Sequence, residues 1–315
     1  MSGQEYFHQP VLLKETLAAL APRAGGLYVD GTVGGGGHAK ALLQQAPDIH
    51  LIGLDRDKTA LRAAAERLAP FGARVQLYYS NFTQIKQALA VLGWPDKAPA
   101  GVLLDLGISS PQVDTPERGF SYMQDGPLNM RMDNSSSLTA AQIVNTWEEA
   151  ELTRIFYEYG EERWAKRIAA TIAVNRETAP IETTLQLVRI IKKAVPKGAR
   201  EADQHPAKRC FMALRIVVND ELTSLIQGLT AAKELLEKGG RLAVISFHSL
   251  EDRIVKERFA FWNSACVCPP QLPVCVCGHQ PEMKLINRRP IMAGAEEIAH
   301  NPRARSAKLR VAEKL

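Results

Sequence analysis

Short apolar runs alternate with amphipathic stretches through the first third of the chain. Leu27–Asp30 reads as a buried strand, followed by a glycine-rich turn and a helix from about Ala39. His50–Asp55 is a second strand, and the Ala- and Leu-rich residues 59–68 have helical periodicity. Val75–Tyr79 and residues 82–92 repeat the pair, and Gly101–Asp105 is a fourth strand. Strands alternating with helices predict a parallel sheet covered on both faces, an α/β fold.

The alternation then stops. Residues 109–133 are loop-like, punctuated by Pro111, Pro116, Gly119, Gly126 and Pro127. Residues 134–193 read mainly as helices, among them 148–159 and 162–175, and a Pro-, Gly- and charge-rich stretch, 195–206, follows. A long helical pattern runs from Cys210 to about Glu237, with Gly239 as its C-cap. Residues 241–247 are a buried strand, 250–261 a helix with Ser249 as cap and Asp252 three residues on, and 307–312 a last strand. The pattern divides the chain into 1–133, the first part of an α/β domain; 134–209, a helical insertion; and 210–315, where the sheet resumes.

Composition fits a globular protein, with 46% hydrophobic and 23% charged residues. No apolar run approaches the ~18 residues of a membrane span, and Met1 to Pro10 lacks a basic region followed by an apolar core. A cytoplasmic location is expected. The net charge of +5 is concentrated: residues 161–209 hold eleven Lys or Arg against six Asp or Glu. Such a region suits nucleic-acid phosphates, and equally a solvated helical face.

The glycine loop carries the first chemistry. Asp30-Gly-Thr-Val-Gly-Gly-Gly-Gly-His38 joins a strand to a helix, and Gly34, Gly36 and Ala39 fit G-x-G-x-x-A. Asp55 lies 21 residues beyond Gly34, near the ~20 of a ribose-binding acid. This leaves a nicotinamide dinucleotide and S-adenosylmethionine both open. Asp30, Asp55 and Asp105 decide between them, because each ends a strand at the edge where an open parallel sheet binds ligands. Three carboxylates repel a pyrophosphate and suit a sulfonium and an ammonium. Asp105 and the polar loop Ser109-Ser-Pro-Gln112 are the candidates to hold a reacting amine. His248, Tyr122 and Trp164 are candidates for base contact, with core packing favoured for Trp164; Arg288, Arg289, Arg303 and Arg305 are phosphate candidates or ordinary surface charge.

Cys266-Val-Cys268 and Cys275-Val-Cys277-Gly-His279 lie in a Pro-rich stretch. Four thiols suggest tetrahedral zinc, but C-x-C pairs are less usual than wider spacings, so an unligated loop ranks slightly ahead. Cys210 falls in a helical pattern and reads as a buried apolar residue.

A longer ordered series now stands out. It runs from His8-Gln-Pro-Val-Leu-Leu13 through the glycine loop to Leu103-Leu-Asp-Leu-Gly-Ile-Ser-Ser-Pro-Gln112, Arg118-Gly-Phe-Ser-Tyr122, and Asp125-Gly-Pro-Leu-Asn-Met-Arg-Met-Asp133. Tyr159-Gly-Glu-Glu-Arg163, Ser246-Phe-His-Ser-Leu-Glu-Asp-Arg253 and Asn301-Pro-Arg-Ala-Arg-Ser306 complete it. Together these resemble the bacterial ribosomal RNA small-subunit methyltransferase H family, also called MraW, over nearly the whole chain. The resemblance implies a class I methyltransferase fold, interrupted by an inserted all-helical domain that recognises RNA. It implies S-adenosylmethionine-dependent methylation of a cytidine N4 in the decoding, P-site region of 16S ribosomal RNA within the small subunit. It also implies that Gly36, Gly37 and His38 line the cofactor, Asp55 takes its ribose, Phe82 lies against it, and Asp105 and Gln112 complete the site. A homodimer is compatible with this reading and not dictated by it. The chain departs from the family at Asn129, where the family carries Asp.

Overall fold

The computed structural model describes residues 10–199, 204–269, 272 and 274–315. Residues 1–9, which include His8 and Gln9 at the head of the family series and most of the start tested for a signal, lie outside the described residues, as do Arg200, Glu201 and Asp203 of the basic region. The strands are β1 (Leu27–Asp30), β2 (His50–Asp55), β3 (Val75–Tyr79), β4 (Gly101–Asp105), β5 (Arg241–Ser246), β6 (Met283–Leu285), β7 (Ile291–Met292) and β8 (Lys308–Lys314).

The chain forms two compact units. One comprises Met1–Gly107 with Thr223–Leu315, and the other Ile108–Leu222. The inserted unit is thus wider at both ends than the helical stretch 134–209, because the loop-like residues before it fold with the helices and not with the sheet.

In the first unit the sheet order is β3-β2-β1-β4-β5-β8-β6, with β7 also on β8. Strands β1 to β5 are parallel, whereas β8 runs antiparallel between β5 and β6. This is the class I methyltransferase arrangement. Side chains alternate across it. Val29, Val102, Leu104, Leu242 and Val244 face a core shared with Leu225, Leu229 and Ala232 of helix Glu221–Leu235 and with Val255 and Phe259 of helix Ser249–Asn263. Tyr28, Leu51, Leu103, Ala243 and Ile245 face the opposite side, where helices Leu13–Leu20, Gly37–Leu43 and Lys58–Leu68 pack. Burial on both faces explains why these strands read as unbroken apolar runs.

The second unit is built on helices Ala140–Thr146, Glu149–Glu158, Ala165–Thr178, Thr184–Ala194 and Lys208–Val218. Their apolar stripes close over Phe156, Ile168, Ile172, Leu187, Phe211 and Leu214. Cys210 is fully buried in this core, as its helical position predicts. Thr139 with Gln142 and Thr183 with Gln186 form capping boxes that start two of the helices. The stretch read as loop holds a short helix, Ser110–Asp114, and further on Asn219 pins it. Asn219 Oδ1 accepts from Met132 N at 2.8 Å, and Nδ2 donates to the carbonyls of Met130 (2.8 Å) and Arg215 (2.9 Å).

Three local expectations change. The helical pattern from Cys210 to Glu237 is two helices, Lys208–Val218 and Glu221–Leu235, broken where Asp220 takes φ +45°. Both halves are apolar on one face, so periodicity ran through the break. Helix Ser249–Asn263 is capped by His248 with Glu251, not by Ser249 with Asp252: His248 has the extended backbone of a cap, and Asp252 instead pairs with Lys308 at 3.0 Å and Arg310 at 2.7 Å. Strands β6 and β7 and helices Leu13–Leu20 and Ala295–His300 add elements that the pattern did not predict. No helix among the described residues is long and apolar enough to cross a membrane.

Candidate active site

The order β2-β1-β4 reverses direction at β1, so the crevice beyond the carboxyl ends of β1 and β4 is the ligand position of an open α/β sheet. The loop after β1 is bolted to both neighbours: Gly31 N donates to Leu103 O at 2.9 Å and Val33 N to Leu54 O at 2.9 Å. Gly36 then takes φ +78°, a left-handed conformation that starts helix Gly37–Leu43. At Gly37 a Cβ would stand 2.4 Å from Pro10 Cγ, so only glycine lets the entering chain pass this close.

Asp30, Asp55 and Asp105 are the terminal residues of β1, β2 and β4, as the sequence places them. Asp30 is 3% exposed and its Oδ1 accepts from Thr32 N at 3.1 Å. Burial pushes its carboxyl up to about 7, with the charge of Asp55 adding to the shift and the Thr32 amide opposing it. Asp55 is pushed up to about 6 by burial, against two hydrogen bonds: Oδ1 accepts from Asp57 N (2.8 Å) and Oδ2 from Gly34 N (2.9 Å). Asp55 therefore steers the glycine loop directly. Asp105 is raised well above the carboxylate range by burial, then by the charges of Asp30 and Glu251. Its side chain is 26% exposed, yet Oδ1 is enclosed and has no hydrogen-bond partner among the described residues.

His38 is buried beside it. Its Nε2 donates to Val11 O at 3.0 Å, because a carbonyl only accepts, and Nδ1 then faces Asp105 Oδ2 at 3.6 Å. Two acceptors stand face to face there unless a proton lies on one of them.

Phe82 is 8% exposed and packs in the core with Ile85, Leu104 and Leu225, its ring against the Gly228 backbone and its Cβ beside Gly31. It thus reaches the foot of the glycine loop from the core side. Gln112 lies in the second unit, buried, where its Oε1 accepts from Ser109 N at 3.0 Å in a capping box. Asn129, also there, accepts from Arg131 N at 3.2 Å and Nε at 2.8 Å. Tyr122 is stacked on His205, with centroids 4.8 Å apart, and meets Phe211 edge-on. Trp164 packs on the helical core with the Arg163 guanidinium 5.5 Å over its ring. Arg288, Arg289, Arg303 and Arg305 are exposed.

Sequence reasoning passed over two residues. Glu251, 2% exposed, accepts from Phe247 N (2.9 Å) and His248 N (3.2 Å) and is, with Asp30, one of the two acids whose charge acts on Asp105. Thr32 Oγ1 accepts from Asp105 N at 2.6 Å, joining the glycine loop to β4. The signal for Glu251 was its place three residues after His248, the N3 position of a capping box at the start of the helix that follows β5.

The site combines a fixed glycine loop, three strand-ending acids with raised protonation and an enclosed carboxylate oxygen with no hydrogen-bond partner among the described residues, with Arg67 beside Gly35 and Arg56 acting on Asp55 as the nearby cations.

The sequence matches the MraW methylase family over residues 5–315. It is 56% identical over 313 residues to the ribosomal RNA small subunit methyltransferase H of Citrifermentans bemidjiense, covering 99% of this chain and 100% of that protein. It is 57% identical over 311 residues to the protein of the same name from Symbiobacterium thermophilum, covering 98% and 97%. The chain belongs to the MraW methylase family, and is a methyltransferase dependent on S-adenosylmethionine.

Proposed function

We propose that this enzyme methylates the N4 amine of a cytidine in the P-site region of 16S ribosomal RNA, in the cytoplasm and on the small ribosomal subunit, by direct in-line transfer. The observation that carries the reading is the carboxylate set at the ends of β1, β2 and β4 beside the glycine loop, in a chain whose relatives are named for the small-subunit RNA.

Gly36, Gly37 and His38 would line S-adenosylmethionine, Asp55 would take its ribose hydroxyls, and Phe82 and Gln112 would complete its seat. Asp55 has one lone pair left on each oxygen for such hydroxyls after its two backbone bonds. When bound, this cofactor supplies a methyl carbon made electrophilic by a sulfonium. With that cation bound, Asp30 and Asp105 would hold their protons less tightly, and Asp105 Oδ1 would be an acceptor. That oxygen would take a hydrogen bond from the cytidine amine, whose lone pair is otherwise delocalised into the ring. Orientation of this kind, rather than covalent help, is what the transfer needs from the protein. The base must be presented unstacked to reach the site. Arg163, Lys166, Arg167, Arg189 and Lys193, all exposed on the helical unit, would hold the RNA backbone.

The test is methyl transfer from labelled S-adenosylmethionine to small subunits from cells lacking the enzyme, with nucleoside analysis. Label in N4-methylated cytidine is the expected result. Label in another nucleoside, or none despite cofactor binding, overturns the assignment of the acceptor.

A further inference from the structure

Four of the chain's five cysteines lie between helix Ser249–Asn263 and β6. Residues 264–282 form no helix or strand among the described ones, and Val267, Leu272, Val274 and Val276 turn their side chains outward. A segment this short, with its apolar groups exposed, has no core of its own to fix a conformation. Its sulfurs nevertheless converge. All four Sγ atoms lie within 4.8 Å of one another. Cys275 and Cys277 are 3.6 Å apart, Cys277 and Cys266 3.9 Å, and Cys268 and Cys275 4.0 Å.

These distances have a meaning. The cysteines are free, and a bonded pair would stand at about 2.05 Å. Zinc bound tetrahedrally with Zn–S bonds of about 2.3 Å holds its sulfurs about 3.8 Å apart, and the three spacings bracket that value. Backbone amides also point at the sulfurs: Cys268 N at Cys266 (3.4 Å), Val276 N at Cys268 (3.4 Å) and Val267 N at Cys277 (3.5 Å). Donors so placed favour thiolates, the form a metal binds. His279 is engaged elsewhere, its Nε2 at 3.1 Å from Phe261 O and its ring 5.0 Å from the Phe261 ring. The C-x-C spacing alone ranks zinc below an unligated loop, and the sulfur positions reverse that ranking.

We propose that Cys266, Cys268, Cys275 and Cys277 bind one zinc ion as a closed tetrathiolate site that gives residues 264–282 their fold. Four Zn–S bonds form and four thiol protons pass to solvent, with no change of oxidation state. The protein fills every ligand position, so no place is left for a water or substrate, and the site is structural.

The full chain purified without chelator should contain about one zinc per molecule. Its four loop thiols should resist a disulfide reagent until a strong chelator is added. Exchange with cobalt should give the visible absorption of a tetrahedral thiolate site. The double variant Cys266→Ser/Cys275→Ser, which takes one ligand from each pair, should lose the metal while keeping cofactor binding and helix content. Should that variant fail to fold, amide exchange in the native protein decides: chelation should raise it in residues 264–282 and leave the sheet unchanged. Metal-free protein with freely reactive thiols, two disulfides in protein trapped at lysis, or equal zinc in the double variant would each overturn the proposal.

Discussion

Asp30→Asn separates what the buried acids do for binding from what they cost the fold. Asp30 is 3% exposed, and its carboxyl stands at about 7 against 3.8 for the free group. Between those values the folded chain keeps a proton that the unfolded chain has lost. Stability from this group is therefore fully present below about pH 4 and is lost as pH rises through about 7. At about 1.4 kcal/mol per tenfold in proton affinity the full swing is about 4 kcal/mol. Asn keeps the acceptor for Thr32 N, but its amide needs a partner of its own, which takes back about 1–3 kcal/mol. A net gain of about 1–3 kcal/mol is expected at pH 8 and none, or a loss, near pH 4. The assay is chemical denaturation of variant and parent across that range without cofactor, alongside S-adenosylmethionine titration, where the variant should bind at least tenfold more weakly. A stability difference that stays flat with pH, or shrinks as pH rises, would refute the account of Asp30 as a buried charge awaiting a cation.

Binding of S-adenosylmethionine by the native enzyme should weaken as pH falls through about 7 and then about 6, where Asp30 and Asp55 take up protons, with proton release on binding in calorimetry; equal affinity at about pH 5.5 and 8 would contradict this. Asp105→Asn should lower turnover at saturating cofactor by about 10²-fold while leaving the melting temperature equal or higher, and full turnover would remove Asp105 from the chemistry. In Gly31→Ala the new Cβ stands 2.6 Å from Leu104 Cδ2 and 2.9 Å from Phe82 Cβ, so about 1–3 kcal/mol of stability should be lost, read from the denaturation midpoint. Asn219→Ala removes the acceptor of Met132 N and the donor to the Met130 and Arg215 carbonyls; a cost of about 2–4 kcal/mol is expected, with faster amide exchange at Met132.

The strands that carry Asp30, Asp55 and Asp105 were legible to the residue, because doubly buried strands leave short apolar runs that end abruptly in a charge. The glycine loop was legible for the same reason. The inserted unit was harder to delimit. Its first residues, from Ile108, are rich in Pro and Gly and have no period, and they are ordered by distant partners such as Asn219. Phe82 is a core residue that also touches the loop, and a sequence shows only the first of these. The cysteines illustrate a different limit. Their spacing argued weakly against a metal, whereas the fold of the backbone between the two pairs, which no local pattern encodes, brings the sulfurs together.

The position of the insertion also bears on how the molecule folds. Strands β4 and β5 are neighbours in the sheet, yet 135 residues, 106–240, separate them. Closing a loop of that length in an unfolded chain is entropically slow. Of those residues, 115 belong to the Ile108–Leu222 unit, whose helices make mostly local contacts. If that unit collapses first, about 20 flexible residues remain to be closed, and the entropic barrier falls by up to about 1.7 kcal/mol, or roughly 15- to 20-fold in rate. The insertion then acts as a splint, folded early, that lets a parallel sheet assemble from segments far apart in the chain.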